Sequence, residues 1–180
     1  MRNSTLNYLI STTRFTLKPL TLNDVTDRYA SWLSDATSGK FISARFYGPE
    51  LKKYVSERSN RGDVLFLGIF NKIDGLHIGN IKYEPIDSQQ CYAVMGILIG
   101  DAAWRGKGVA REVILASATW LHKNKKIDQI VLGVSKSNKI AIRAYQKVGF
   151  IERSSKHLPN VNNENITMIL DLNESQIFIE

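Results

Sequence analysis

The chain has one cysteine, three histidines and four prolines in 180 residues, and its apolar runs are all short. A lone Cys91 cannot form an internal disulfide, so the reducing cytoplasm is the expected location. His77, His122 and His157 lack the spacing of a metal-ligand set, and no metal is expected. Roughly twenty consecutive apolar residues are needed to cross a bilayer, and no such run occurs, so no membrane partner is expected. The opening MRNSTLNYLISTTRF has neither a continuous apolar stretch nor a small-residue cleavage site and does not read as a secretory signal. No repeat, low-complexity tract or linker divides the sequence, whose length suits one domain, taken as 1–180 with a core of about 14–172.

What is present is an ordinary soluble balance, 43% hydrophobic and 23% charged, with a formal net charge of +7. Such an excess suits nucleic acid, an acidic membrane surface or a phosphorylated ligand. Six Lys or Arg against the single Glu152 fall between Lys136 and Lys156, so most of the excess lies there. A nucleic-acid groove usually interleaves exposed aromatics with basic residues. Here Tyr145 and Phe150 sit among apolar residues, which disfavours nucleic acid as a partner.

Periodicity predicts strands over 14–20, 64–70, 77–84, 91–100, 129–135, 150–155 and 166–172. Helices are predicted over 25–33, 49–59, from Val109 to about 125, and 138–149, the last closed by Gly149. The third carries Val113, Ala116, Trp120 and Leu121 as its buried stripe.

Between the strand at 91–100 and that third helix stands WRGKGVARE, Trp104 to Glu112. A helix N-terminus presents unpaired amides and positive potential, and glycines let an anion approach the backbone. Gly106 and Gly108, with Arg105 and Lys107 at the rim, therefore read as a pyrophosphate cradle; a sharp structural corner is the other reading of such a turn. A P-loop does not fit, because five residues separate Gly100 from Gly106 and Gly108 stands where Ser or Thr is required. A dinucleotide fingerprint breaks at Arg111, where a third glycine or alanine is expected.

RGKGVA, Arg105 to Ala110, resembles the Arg/Gln-x-x-Gly-x-Gly/Ala signature of the GCN5-related N-acetyltransferase (GNAT) superfamily. Further along, SNKIAIRAYQKVGF resembles that superfamily's second signature, with Asn138, Ala141, Tyr145, Lys147, Gly149 and Phe150 in register. RFTLKPLTLNDVTDRYASWLSD looks like the opening of the RimJ/RimL branch, which acetylates ribosomal protein N-termini, and of its amino-sugar relatives. The resemblance implies an α+β fold: a mixed, mostly antiparallel sheet whose central strands, 91–100 and 129–135, are parallel and splay apart around acetyl-CoA. It implies that backbone groups of Leu98, Ile99 and Gly100, with Asn138 opposite, meet the pantetheine arm. The amides of Gly106, Lys107, Gly108, Val109 and Ala110 would hold the pyrophosphate, and Arg143 and Lys147 would meet the 3′-phosphate end. Expected partners are acetyl-CoA and a small amine or peptide N-terminus, and self-association into a homodimer is compatible with the family.

Tyr145 resembles the family's general acid. A phenol with a pKa near ~10 stays protonated at neutral pH and can donate to a departing thiolate. Packing of the helix onto the sheet is the alternative role for this side chain. Many relatives carry a Glu base on the central strand, in Ala-Glu-Ile-Gly, whereas AVMG puts Val94 there. Glu84 and Asp87 are the nearest substitutes. An α-amine with a pKa near ~8 is partly neutral at pH 7 without help, so the missing base favours a low-pKa amine over a lysine side chain. The acceptor site is expected between the first two helices, with Arg45, Phe46 and Tyr47 on their connection, and the loop HLPNVNNEN. The competing reading is a non-catalytic acyl-CoA sensor.

Overall fold

The computed structural model describes residues 9–34, 48–158 and 163–173. Eight strands form one sheet: β1 (Ile10–Ser11), β2 (Phe15–Pro19), β3 (Leu65–Asn71), β4 (His77–Asp87), β5 (Tyr92–Ile99), β6 (Gln129–Ser135), β7 (Ile151–Glu152) and β8 (Asn165–Asp171). Their spatial order is β1-β2-β3-β4-β5-β6-β8-β7. Every neighbouring pair is antiparallel except β5 and β6. The helices are α1 (Asp27–Ser34), α2 (Pro49–Ser59), α3 (Val109–Lys125) and α4 (Lys139–Val148).

Local chemistry explains the boundaries. Asp24 accepts from the amide and hydroxyl of Thr21, which makes residues 22–24 a separate 3-10 turn and delays α1 to Asp27. Pro49, with its preset φ and missing donor, starts α2. The α3 helix has Glu112 in its first turn and His122, Lys123 and Lys125 in its last, the distribution that its dipole favours. Its buried stripe is Val109, Val113, Ile114, Ser117, Ala118 and Leu121, so it is turned slightly from the one read off the sequence, and Ala116 and Trp120 are only half-buried. Gly149, at φ 117, closes α4 by donating to the carbonyls of Tyr145 and Gln146.

Three strand expectations change. β1 is an addition, two residues defined by pairing with β2. β4 continues past Tyr83 to Asp87 through a register shift at Pro85, which has no N–H to give the ladder. The strand expected over 150–155 contracts to Ile151–Glu152, the residues that find partners on β8.

The sheet separates two cores. On one face α3 and α4 cover a large cluster that includes Phe15, Ile81, Tyr83, Met95, Leu132 and Met168. Inside it the hydroxyls of Tyr83 and Ser117 meet at 2.8 Å, which satisfies both groups away from water. On the other face α1 and α2 enclose a smaller cluster around Tyr29, Trp32, Leu51 and Phe66. Trp32 lies directly against Gly100: a Cβ there would fall 1.9 Å from the indole. Gly100→Ala must therefore displace α1 or its tryptophan, at a cost of about 1–3 kcal/mol. A thermal melt is expected to show a lower midpoint; an unchanged one would mean that the indole moves aside freely.

Candidate functional site

β5 and β6 pair only at Tyr92 with Gln129, Ala93 with Ile130 and Val94 with Val131. Beyond Val94 they part, while β5 keeps β4 and β6 keeps β8 along their lengths. Peptide groups of β5 that point away from β4 after Val94 thus lose their strand partner. The gap widens into a cavity of about 680 Å³ reached by Gly96, Leu98, Asn138 and Tyr145.

The glycine turn follows β5 and leads into α3, and its residues are not among those lining the cavity. Gly106 and Gly108 adopt φ of 72° and 75°, left-handed values that favour glycine. Gly108 caps α3, so the first-turn amides at Val109 and Ala110 follow directly, and residues 106–108 are exposed. The Lys107 ammonium lies 5.8 Å from the centre of the Trp104 ring. Arg105 does not stand at the rim in the way the sequence suggests. Its Nε donates to the Ile99 carbonyl at 3.0 Å and its Nη2 to the Gly100 carbonyl at 2.7 Å, so it clasps the end of β5. The Gly100 amide is also committed, to Ile78.

Sequence reading missed two residues here. Arg14 donates from Nη1 to the Lys107 carbonyl at 3.0 Å and from Nε to Glu112 at 2.7 Å. Glu112 also accepts from the Thr12 hydroxyl and the Arg14 amide. An acid in the first turn of α3 was the one visible hint, and its partners lie 98 and 100 residues away.

On the far side of the gap, Asn138 accepts from the Ala141 amide through Oδ1 and caps α4. Tyr145 reaches the cavity from α4, its ring 5.7 Å from that of Phe150. Its hydroxyl has no hydrogen-bond partner among the described residues, and burial pushes its pKa up to about 12. Arg143 and Lys147 are exposed on α4, spaced with Lys139 along one side and away from the cavity lining.

The α1/α2 face supplies the other wall. Leu98 packs into the smaller core, and cross-strand register puts Asn80 beside Leu98, and Lys82 beside both Phe66 and Gly96, on that same face. Val94 leaves β5 without a carboxylate. Glu84 is gripped by Lys82 at 2.6 Å, Arg58 at 2.9 Å and Arg61 at 2.5 Å. Burial alone would raise its carboxyl, but hydrogen bonds and charge from Lys82 and Arg58 outweigh that and hold it below the usual range. Asp87 accepts from the amides of Gln90 and Gln89 in an exposed turn, which also lowers it. Neither is placed to take a proton inside the cavity. Among the described residues, the carboxylate that lines it is Glu164, at its β8 edge.

His77 opens β4 in the β3/β4 hairpin, and burial among Tyr29, Trp32 and Phe70 lowers its pKa despite hydrogen bonds to Asn80 and Gly79. His157 stacks on Tyr92 at 3.7 Å, and His122 bonds the Ile127 carbonyl after α3. Arg45, Phe46 and Tyr47, and 159–162 of the loop HLPNVNNEN, lie outside the described residues. Among the described residues, no helix is long and apolar enough to cross a membrane.

The family model described as an acetyltransferase (GNAT) domain matches residues 14–151. A comparison with curated protein sequences gives no match. Among solved structures, RimL, a ribosomal L7/L12 alpha-N-protein acetyltransferase in complex with coenzyme A, superposes with a TM-score of 0.78 at 14% identity, covering 93% of this chain and 100% of that one. A ribosomal-protein-S5-alanine acetyltransferase from Vibrio fischeri gives 0.74 at 16%, covering 93% and 98%. The aminoglycoside acetyltransferase AAC(6')-Ib in complex with coenzyme A gives 0.72 at 19%, covering 88% and 95%. At these identities the likeness is one of fold.

The Arg14–Glu112 tie sets a pH dependence. Burial would raise the Glu112 carboxyl, yet hydrogen bonds from Thr12 and Arg14, with the charge of Arg14, leave it lower than usual. Its stabilisation is therefore complete above the ordinary glutamate pKa of about 4.3 and is lost as pH falls through the depressed folded value. Urea melts of wild type and Glu112→Gln should differ at neutral pH and converge in acid. A difference that persists into acid would sink this assignment.

Proposed function

The chain belongs to the GNAT acetyltransferases, acyltransferases that use acetyl-CoA, and from that premise we propose that it acetylates a primary amine of low pKa, a peptide N-terminus or an amino sugar, by direct transfer. The observation that carries the reading is the cavity at the β5/β6 splay, lined by Gly96, Ile97 and Leu98 of β5 on one side and by Tyr145 of α4 on the other. The donor fits this chain. Left-handed glycines at 106 and 108 and the open first turn of α3 suit a pyrophosphate, and the stretch of β5 after Val94, which has no strand partner on the β6 side among the described residues, suits the amides of a pantetheine arm.

The acceptor nitrogen attacks the thioester carbonyl as a neutral amine, the C–S bond breaks, and the sulfur takes a proton. Tyr145 supplies that proton, and the one shed by the nitrogen passes to water. A phenol at about 12 remains protonated across the working range, and Tyr145 lines the cavity with no competing acceptor for its hydroxyl among the described residues. With Val94 on β5 and Glu84 held by three cations, the β4/β5 wall offers no base, and an amine that arrives already deprotonated, one of low pKa, is favoured. The opening 14–35 resembles the branch that acts on protein α-amines and on amino sugars, two acceptors of that kind.

Tyr145→Phe keeps the ring and removes the proton. kcat in a thiol-release assay should fall by about 10²-fold or more with acetyl-CoA affinity unchanged, and wild-type turnover would make Tyr145 a packing residue. kcat/KM should rise with pH and level off at the acceptor amine's own pKa. A limb that stays at one pH across amines of different pKa would instead identify a protein base, with Glu164 the first to replace by Gln. Gly108→Val forces a side chain into left-handed backbone beside the cradle and should weaken acetyl-CoA binding about tenfold or more by calorimetry. Unchanged affinity would remove the cradle from the site.

A further inference from the structure

We infer that the acceptor carries an oxyanion, a carboxylate or a phosphate, received by Asn80 and Lys82 on the β4 wall of the cavity. The inference rests on the acetyl-transfer reading for the cavity's occupant and adds its chemical class.

Asn80 is 4% exposed and lines the cavity, and its Nδ2 is a buried side-chain nitrogen with no partner among the described residues. Its orientation is determined by its neighbour. His77 Nε2 lies 3.0 Å from the Gly79 carbonyl and 2.8 Å from Asn80 Oδ1. A backbone carbonyl only accepts, so Nε2 carries the hydrogen, and the Asn80 oxygen must face it; a flipped amide would set donor against donor. The imidazole is itself fixed among the rings of Tyr29, Trp32 and Phe70. The amide nitrogen is left with two donors and a desolvation penalty that an acceptor oxygen would relieve.

Lys82 stands two residues along the same strand face, about 7 Å away. Its ammonium donates to the Tyr54 hydroxyl at 2.9 Å and to Glu84 at 2.6 Å, and a third N–H remains. Among the described residues charge is not cancelled around it: Arg58, Arg61 and Lys82 surround Glu84, and Asp63 pairs with Arg61. Gly96, the β5 partner of Lys82, leaves open space, since a Cβ there would meet nothing within 4 Å.

This wall therefore offers donors and positive charge. A polycationic amine would bring further donors against it, whereas an oxyanion accepts from Asn80 and pairs with Lys82 through charge-assisted bonds. Glu164 lines the cavity on the β8 side of the gap, opposite β4, so an acceptor with an amine at one end and an oxyanion at the other matches the polarity across the opening.

The test compares matched acceptors by thiol release and, in parallel, by calorimetric binding in the presence of coenzyme A. Glucosamine 6-phosphate against glucosamine probes phosphate; a dipeptide amide with N-terminal aspartate against its asparagine counterpart probes carboxylate; spermidine is the cationic control. At least one anionic member should exceed its neutral partner about tenfold or more, the size of one hydrogen bond to a charged group, and the pair that responds identifies the oxyanion. Lys82→Met and Asn80→Leu should each collapse the anionic-to-neutral ratio towards one. Lys82→Met, at a half-buried position, serves alone if the Asn80 variant does not fold. Equal use of both members of each pair, preference for spermidine, or a ratio that survives the substitutions overturns the inference. The binding order without thiol release would retain the oxyanion site and reject acetyl transfer; absence of both rejects the two together.

Discussion

The parting of β5 and β6 after Val94 and Val131 is the constraint on which the rest of the molecule depends. Two parallel strands that separate in mid-sheet forfeit hydrogen bonds, and the loss is bearable because each keeps its other neighbour: β4 holds β5 to Ile99, and β8 pairs with all of β6. The opening is thus a stable defect in a sheet otherwise closed on both faces by apolar packing. An opening lined by peptide groups calls for a ligand that is itself amide-rich.

The defect also sets which side chains can meet. The α3/α4 side contributes a phenol, while the α1/α2 side contributes an amide, an ammonium and aromatic rings. Because the sheet parts here, groups on opposite faces can address one molecule. The Glu84 cluster illustrates how the second face is kept in order. Arg58 lies 3.6 Å from the Tyr54 ring centre while its Nε holds Glu84, so α2 is drawn onto β4 by charge and by ring contact together.

Much of this architecture was legible because it is local. Pro49 and Gly149 mark helix ends by backbone chemistry, and apolar period separates helix from strand without knowledge of partners. The second signature marks the helix whose Asn138 and Tyr145 line an opening in the sheet, and the first marks the glycine turn that caps α3. What escaped depends on distant residues. β1 and the shortened β7 exist only where a neighbour offers a ladder. Arg105 looks like rim charge in a linear motif, yet two carbonyls at the end of β5 claim its guanidinium. Glu84, an acid near a turn in the sequence, becomes unsuited to accept a proton only when Arg58, Arg61 and Lys82 assemble around it. Nothing in the order of residues says that the Asn80 amide would be left with a donor to spare.

The tie from Arg14 to Lys107 and Glu112 bears on how the protein comes into being. It closes a loop of nearly a hundred residues, among the more entropically demanding contacts in the chain. The glycine turn is therefore held by the β1–β2 hairpin, and that contact needs α3 in place to receive it. A ligand held there would bind the assembled domain rather than an isolated strand-turn-helix fragment, and its binding energy would be felt as resistance to unfolding across the whole chain.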